Sequence, residues 1–460
     1  MLERPGDQAA SGHDRPTTEP SMLGKSLVAS CAVAAALAAA LPTARADTLA
    51  GFLSQGKLSG QLRSYYFRRD YSTASTANAR AFALAGLFNY RTPGFLGGFS
   101  LGASFFTANA LGSRSSDPKR LDATLMGTAN AINALGQAFV QYSGHGVLVR
   151  LGDQLINTPW AGASDSRAVP ATYQGAYGAF TPVAGLTLTA LRITRFKGRT
   201  AEGFFKDNLY YSPTWNGDGS YGGISNLPAG ARHAPGTLAF GATYRFSGLK
   251  ASAWYYRFLG FAHMVYGQLA GTLRAGSAVE PFAGAQIVHE WGRSNRFAQT
   301  GTRFFGQPGT AVDSFTLGGI IGAKAYGASL SVSYDQLRRE GPGALGAGAL
   351  ISPYTAGYAT DPLYTTSMIR GMVELGPGRA WKVRATEGAL GKRLLLSASF
   401  AEYRSDFEGL NTELYFGVIY EPRGWVKGLT LRNRLGISHG RANPGAGRFL
   451  YNRVMITYAF

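Results

Sequence analysis

A chain of 460 residues with a net charge of +19 and one cysteine cannot build a disulfide framework or a thiolate metal site. Its basic residues are spread along the chain rather than gathered in one helix or tail, which argues against nucleic acid as a partner. Mean hydropathy is -0.06, and no run of eighteen apolar residues follows the N-terminal region, so no membrane-spanning helix is expected.

The N-terminus reads as an export signal. Lys25 supplies a positive charge, Leu27 to Leu41 an apolar run, and Ala44-Arg45-Ala46 a small-x-small cleavage site. Residues 1–46 are therefore expected to be removed, leaving a single domain over 47–460. Residues 1–21 are polar and precede a second Met, which fits either a start assigned too far upstream or an extended n-region. Cys31 sits inside the apolar run in a context like a lipoprotein box, but cutting there would leave Ala32 to Leu41 on the mature end. Cleavage after Ala46 leaves no cysteine. The first 46 residues carry four basic and four acidic side chains, so the charge of +19 survives their loss.

From Leu58 onward the pattern has period two. Phe82, Leu84, Gly86, Phe88 and Tyr90 alternate with Ala83, Ala85, Leu87 and Asn89. Leu330, Val332 and Tyr334 alternate with Ser331, Ser333 and Asp335, and Leu429, Leu431 and Leu435 with Thr430, Arg432 and Arg434. Charged and small residues then share one side, as they would around a water-filled lumen. The 24 Tyr and 27 Phe cluster in places such as Tyr65-Tyr66-Phe67 and Trp254-Tyr255-Tyr256, which read as aromatic girdles at the membrane interfaces.

Connections alternate in length. Short ones are expected near Pro93–Gly98, Ser143–Gly146, Pro182–Gly185, Ser247–Gly248 and Tyr326–Gly327. Long ones lie near 69–79, 107–134, 153–171, 197–236, 292–313 and after 338. Strand parity requires both ends on the periplasmic side, so Leu363–Leu375 must belong to one long external loop, able to fold into the mouth or lumen. The expected fold is all-β: a single transmembrane antiparallel barrel of about 18 strands, with short periplasmic turns and long external loops. The last strand ends at Phe460, with Tyr458, Ile456 and Val454 continuing its apolar face. Phe460 and Tyr458 read as the signal by which outer-membrane barrels are recognised by the assembly machinery.

The first strand, Leu58 to Asp70, carries Arg63, paired aromatics and a basic-acidic end. With Gly152-Asp153-Gln154, Pro159, Ser166 to Gly175, Trp381-Lys382-Val383-Arg384, Leu431 to Arg434 and Arg453 to Ile456, it resembles the OprD-like family of Gram-negative outer-membrane porins. The resemblance implies 18 strands, a lumen narrowed by the third and seventh loops, and a ladder of basic side chains facing an acidic patch. It implies passage of carboxylate-bearing solutes such as amino acids, small peptides and organic acids, and a monomer or weak homotrimer in lipid and lipopolysaccharide. Carried over, the ladder comprises Arg63, Arg167, Arg432, Arg434 and Arg453; a further position usually basic in that family is Gly417 here. Asp165, Tyr173 and Asp335 are the candidates at the constriction loops.

The residues support the ladder independently. Arg432 and Arg434 lie opposite Leu431 and Leu435, and Lys382 and Arg384 opposite Trp381 and Val383. Pointing at lipid near the midplane would cost about 2–4 kcal/mol each, so all four are expected to face inward. The alternatives are generic lumen charges paired with Asp or Glu, a non-specific porin, or a purely structural barrel. Catalysis is not expected: His13, His145, His233, His263, His289 and His439 form no metal-spaced motif, and His289 and Glu290 should point to opposite faces. No cofactor is implied.

Overall fold

The protein is described from a computed structural model, over residues 46–163, 166–207, 209–211, 233–273, 278–292, 309–354, 362–422, 424 and 426–460. Apart from Ala46, the expected export signal lies outside these residues, as does Asp165.

The short helix α1 (Ala46–Ser54) leads into β1 (Lys57–Tyr71), β2 (Ala79–Arg91), β3 (Phe99–Asn109), β4 (Ala131–Gly144), β5 (Val147–Gln154) and β6 (Thr172–Phe180). Next come β7 (Leu186–Lys197), β8 (Thr237–Phe246), β9 (Leu249–Phe258), β10 (Ala262–Thr272), β11 (Val279–Trp291) and β12 (Asp313–Ala325). The chain ends with β13 (Ala328–Arg338), β14 (Gly378–Ala389), β15 (Leu394–Ser405), β16 (Gly409–Tyr420), β17 (Leu429–Gly440) and β18 (Arg448–Ala459). Each strand pairs antiparallel with the next, and β1 pairs with both β2 and β18, so the 18-stranded sheet closes on itself. Closure leaves no edge with unpaired N–H and C=O groups, a requirement for any sheet surrounded by hydrocarbon.

Three of the short turns have one geometry. His145-Gly146, Ser247-Gly248 and Tyr326-Gly327 put both residues at positive φ (52° and 74°, 43° and 86°, 52° and 92°), the two-residue turn whose twist matches that of the flanking strands. Glycine is required at the second position for that reason. The parity argument is borne out: residues 339–377, including Leu363–Leu375, form one connection, loop 7. Length alternation fails twice at the long-loop end, where 259–261 and 406–408 are three-residue turns.

Alternation sets the two faces as expected. Leu330, Val332 and Tyr334 are 56%, 45% and 43% exposed on the outside, whereas Ser333 and Asp335 are 2% and 0% exposed inside. Two expectations are corrected. Tyr65, Phe67, Trp254 and Tyr256 are buried inside the barrel rather than set in an outer girdle, because they pack against loops folded into it. For the same reason the interior is not simply a water-filled lumen lined by small and charged groups. Trp160, Ile351, Tyr354, Met372 and Val373 from loops 3 and 7 form an apolar core with Tyr173, Tyr256, Tyr266 and Tyr403 of the wall. Burial of aromatics at roughly 25 cal/mol per Å² of apolar area favours keeping these loops inside.

Candidate functional site

Loop 7 is held by carboxylates that three strands point inward. Glu290 of β11 accepts from the Ile351 N–H at 2.8 Å. Asp335 of β13 accepts from the Thr365 N–H and hydroxyl, both at 2.6 Å, and from Gln286 at 2.9 Å. Glu413 of β16 accepts from the successive N–H groups of Met368, Ile369 and Arg370 at 2.8–3.1 Å. A buried carboxylate needs donors, and a loop backbone without sheet partners has them to give. Asp335 is thus a strand residue supporting the constriction loop. Tyr173 is likewise in β6, and its hydroxyl donates to Gly162 O of loop 3 (155–171) at 2.7 Å.

Lys382 and Arg384 both face inward. The Lys382 amino group, however, donates to Thr366 O of loop 7 at 2.7 Å, so this cation supports the loop. Arg384 sits lower on the same strand, at the register level of Ser399 and Tyr415 on the two strands that follow.

The remaining arginines gather where β17, β18, β1 and loop 3 meet. Arg434 lies directly opposite Arg453, Arg432 opposite Met455, Phe67 opposite Arg453 and Arg63 opposite Thr457. Rungs two residues apart on a strand are spaced by about 7 Å. Arg63 donates to Arg167 O and Ala168 O at 3.2 and 3.4 Å, tying loop 3 to the wall, and to Gln61 at 2.7 Å. Aromatic faces hold Arg167, Arg434 and Arg453. The Arg453 guanidinium lies 4.2 Å from the Tyr451 ring centroid and 5.1 Å from that of Phe67, while Arg167 lies 5.7 Å from Phe67 and Arg434 5.6 Å from Tyr415. Ring stacking orients a guanidinium without neutralising it. Among the described residues Arg432, Arg434 and Arg453 have no carboxylate within ion-pair distance, and the Nε of each has no hydrogen-bond acceptor.

Two features of this wall escape the sequence reading. Arg69 continues the inward row of β1 but is neutralised by Asp122 of loop 2 (110–130) at 3.2 Å. Burial pushes the Asp122 pKa up, yet Arg69, Thr124 and the Tyr451 hydroxyl outweigh it and hold the carboxyl below its ordinary range. Gly417 faces Arg434 across the ladder, and a Cβ there would stand 2.4 Å from the Tyr415 hydroxyl and 2.5 Å from Ser397 Oγ. The place of the missing rung is occupied by Tyr415.

The family model for an outer membrane porin of the OprD family matches residues 50–342. The chain belongs to the OprD family of outer-membrane porins. No match was found among curated protein sequences. Three solved structures show the same fold in proteins of low identity. Pseudomonas aeruginosa OccK9 (OpdG) is 20% identical with a TM-score of 0.69, covering 89% of this chain and 99% of that one. P. aeruginosa OpdK with vanillate is 17% identical with a TM-score of 0.67, covering 89% and 100%. P. aeruginosa OccK2 (OpdF) in complex with glucuronate is 15% identical with a TM-score of 0.67, covering 89% and 99%.

The porin's long-loop end is accordingly the external one, and its membrane is the outer membrane of a Gram-negative cell. The matched region stops early in loop 7, so Arg432, Arg434 and Arg453 lie beyond it and are placed by the closed barrel itself. In this porin His289 is 48% exposed on the outer face and Glu290 is fully buried inside, opposite as expected. Among the described residues no three His, Cys, Asp or Glu come together as a metal-binding group.

Proposed function

We propose that the protein is a passive, substrate-selective channel for small solutes bearing a carboxylate, with Arg63, Arg167, Arg432, Arg434 and Arg453 as the basic ladder. The observation that carries this reading is a set of inward guanidinium groups, Arg434 and Arg453 held on aromatic rings, of which Arg432, Arg434 and Arg453 have no carboxylate within ion-pair distance among the described residues. Generic lumen charges would be paired with Asp or Glu, as Arg69 is with Asp122. Unpaired, a guanidinium presents two parallel N–H donors to a carboxylate, and successive rungs allow transfer without a trap. The ligands named with two structural relatives, vanillate and glucuronate, are both carboxylates. Packed loops 3 and 7 fill part of the lumen, which favours selection over a wide general pore.

The test is single-channel recording of the purified porin in a planar bilayer, with benzoate or glucuronate added on one side. Discrete steps interrupted by carboxylate-dependent noise are expected, and Arg432→Ser with Arg434→Ser should remove the noise while the steps persist. Equal response to an uncharged sugar would support a non-specific porin, and absence of steps from folded protein a structural barrel.

A further inference from the structure

Like charges directly opposite each other on a sheet are destabilising unless something lies between them. Among the described strand pairs, arginine faces arginine at three places. Arg434 and Arg453 face the lumen, where the ladder gives them a use. The other two pairs, Arg68 with Arg80 and Arg379 with Arg404, are on β1–β2 and β14–β15.

Both of these pairs point outward. Arg68 and Arg80 share the faces of Leu62 and of Leu84 and Phe88; Arg379 and Arg404 share those of Trp381 and Phe400, all exposed to the membrane side. Both pairs also sit at the external ends of their strands, within three residues of the terminus. One member of each has a carboxylate on its own strand: Arg68 with Asp70 at 2.9 Å and Arg404 with Glu402 at 2.9 Å. The other members, Arg80 and Arg379, are exposed and have no ion pair among the described residues. Beside the second pair, Arg338 lies on Phe315 at 5.2 Å and Arg339 pairs with Asp406. Directly below it, Trp381 and Phe400 pack at 5.4 Å and begin the apolar belt.

We propose that these two arginine pairs are docking sites for the phosphate groups of the acylated glycolipid that forms the outer leaflet, lipid A. Two guanidinium groups on neighbouring strands grip a phosphate by paired N–H donors, and the aromatic and aliphatic surface below receives its acyl chains. Both halves of the ligand are thereby matched at one level of the barrel, where only that leaflet's phosphates lie.

Native mass spectrometry of the purified barrel in detergent, titrated with bis-phosphorylated lipid A, tests this. The wild type should hold two tight lipid A molecules. The Arg379→Ser/Arg404→Ser variant should lose one, its affinity there falling roughly ten- to a hundredfold. Arg68→Ser/Arg80→Ser should lose the other, and the lumen-facing Arg434→Ser/Arg453→Ser variant neither. Arg379→Lys/Arg404→Lys, scored with heat-modifiable gel migration as a check of folding, should retain partial binding. Undiminished binding by both serine variants, or equal binding of dephosphorylated lipid A, would overturn the proposal by showing that the apolar belt alone suffices. Complete displacement by millimolar inorganic phosphate would also overturn it, leaving a simple anion site.

Discussion

Arg453 concentrates what single side chains do in this channel. It is buried, lies between Tyr451 and Phe67, and faces Arg434, and among the described residues neither has a carboxylate within ion-pair distance. Arg453→Lys keeps the charge but loses the planar fork and the stacking, so carboxylate flux should fall several-fold while flux of an uncharged sugar holds. A liposome-swelling assay with both solutes distinguishes this from an assembly defect, which would lower the two together. Gly417→Ala is predicted to act through its neighbour. The new Cβ meets the Tyr415 hydroxyl and Ser397 Oγ well inside contact distance, driving Tyr415 off Arg434. A cost of about 1–3 kcal/mol is expected in denaturant unfolding, together with altered carboxylate noise in single channels.

Loop 7 behaves as an element because its backbone is bonded to fixed carboxylates. Glu413→Gln replaces an acceptor for three N–H groups by an amide with one acceptor oxygen, and charge-assisted bonds of this kind contribute about 1.5–3 kcal/mol each. The expected result is a folded barrel with larger and noisier single-channel current; Asp335→Asn should do the same more weakly through Thr365. The contact of Glu374 in loop 7 with Tyr210, which lies between β7 and β8, is predicted to respond to pH. Burial pushes Glu374 up from 4.5 to about 7, with the Tyr210 hydroxyl, at 2.5 Å, opposing part of that rise. A carboxyl raised by packing of the loop is buried best when protonated, so this stabilisation is complete below 4.5 and is lost as pH rises toward about 7. Open-channel noise should therefore grow from mildly acid to neutral pH, and Glu374→Gln should flatten the profile. A profile unchanged by that substitution would assign the effect to another group.

At the scale of the whole molecule, the seam between β1 and β18 decides whether there is a barrel at all. Gly60 and Phe460 exchange two backbone hydrogen bonds, at 2.9 and 3.1 Å, and a Cβ on Gly60 would stand 2.7 Å from the Phe460 ring. Deleting Phe460 removes this last rung and the aromatic end of the outer face, so less folded, heat-modifiable barrel should reach the outer membrane; normal amounts would show the ring to be dispensable. Fold and compartment were legible from the chain because period-two alternation and an even strand count each respond to the bilayer directly. The inward direction of Arg432, Arg434 and Arg453 was legible for the same reason, since alternation fixes a side chain's face, whereas Arg63 came only from the family resemblance. What lies opposite that face was not. Lys382 meets a loop carbonyl, Arg69 meets Asp122, Glu413 meets three loop N–H groups, and Tyr65 and Trp254 lie under folded loops. Those partners come from segments far away in sequence whose path is set by packing inside the barrel and not by any local period. The sequence by itself thus determined which way the charges of Arg432, Arg434 and Arg453 point, and only the tertiary structure decided which charges hold loops and which lack a carboxylate partner among the described residues.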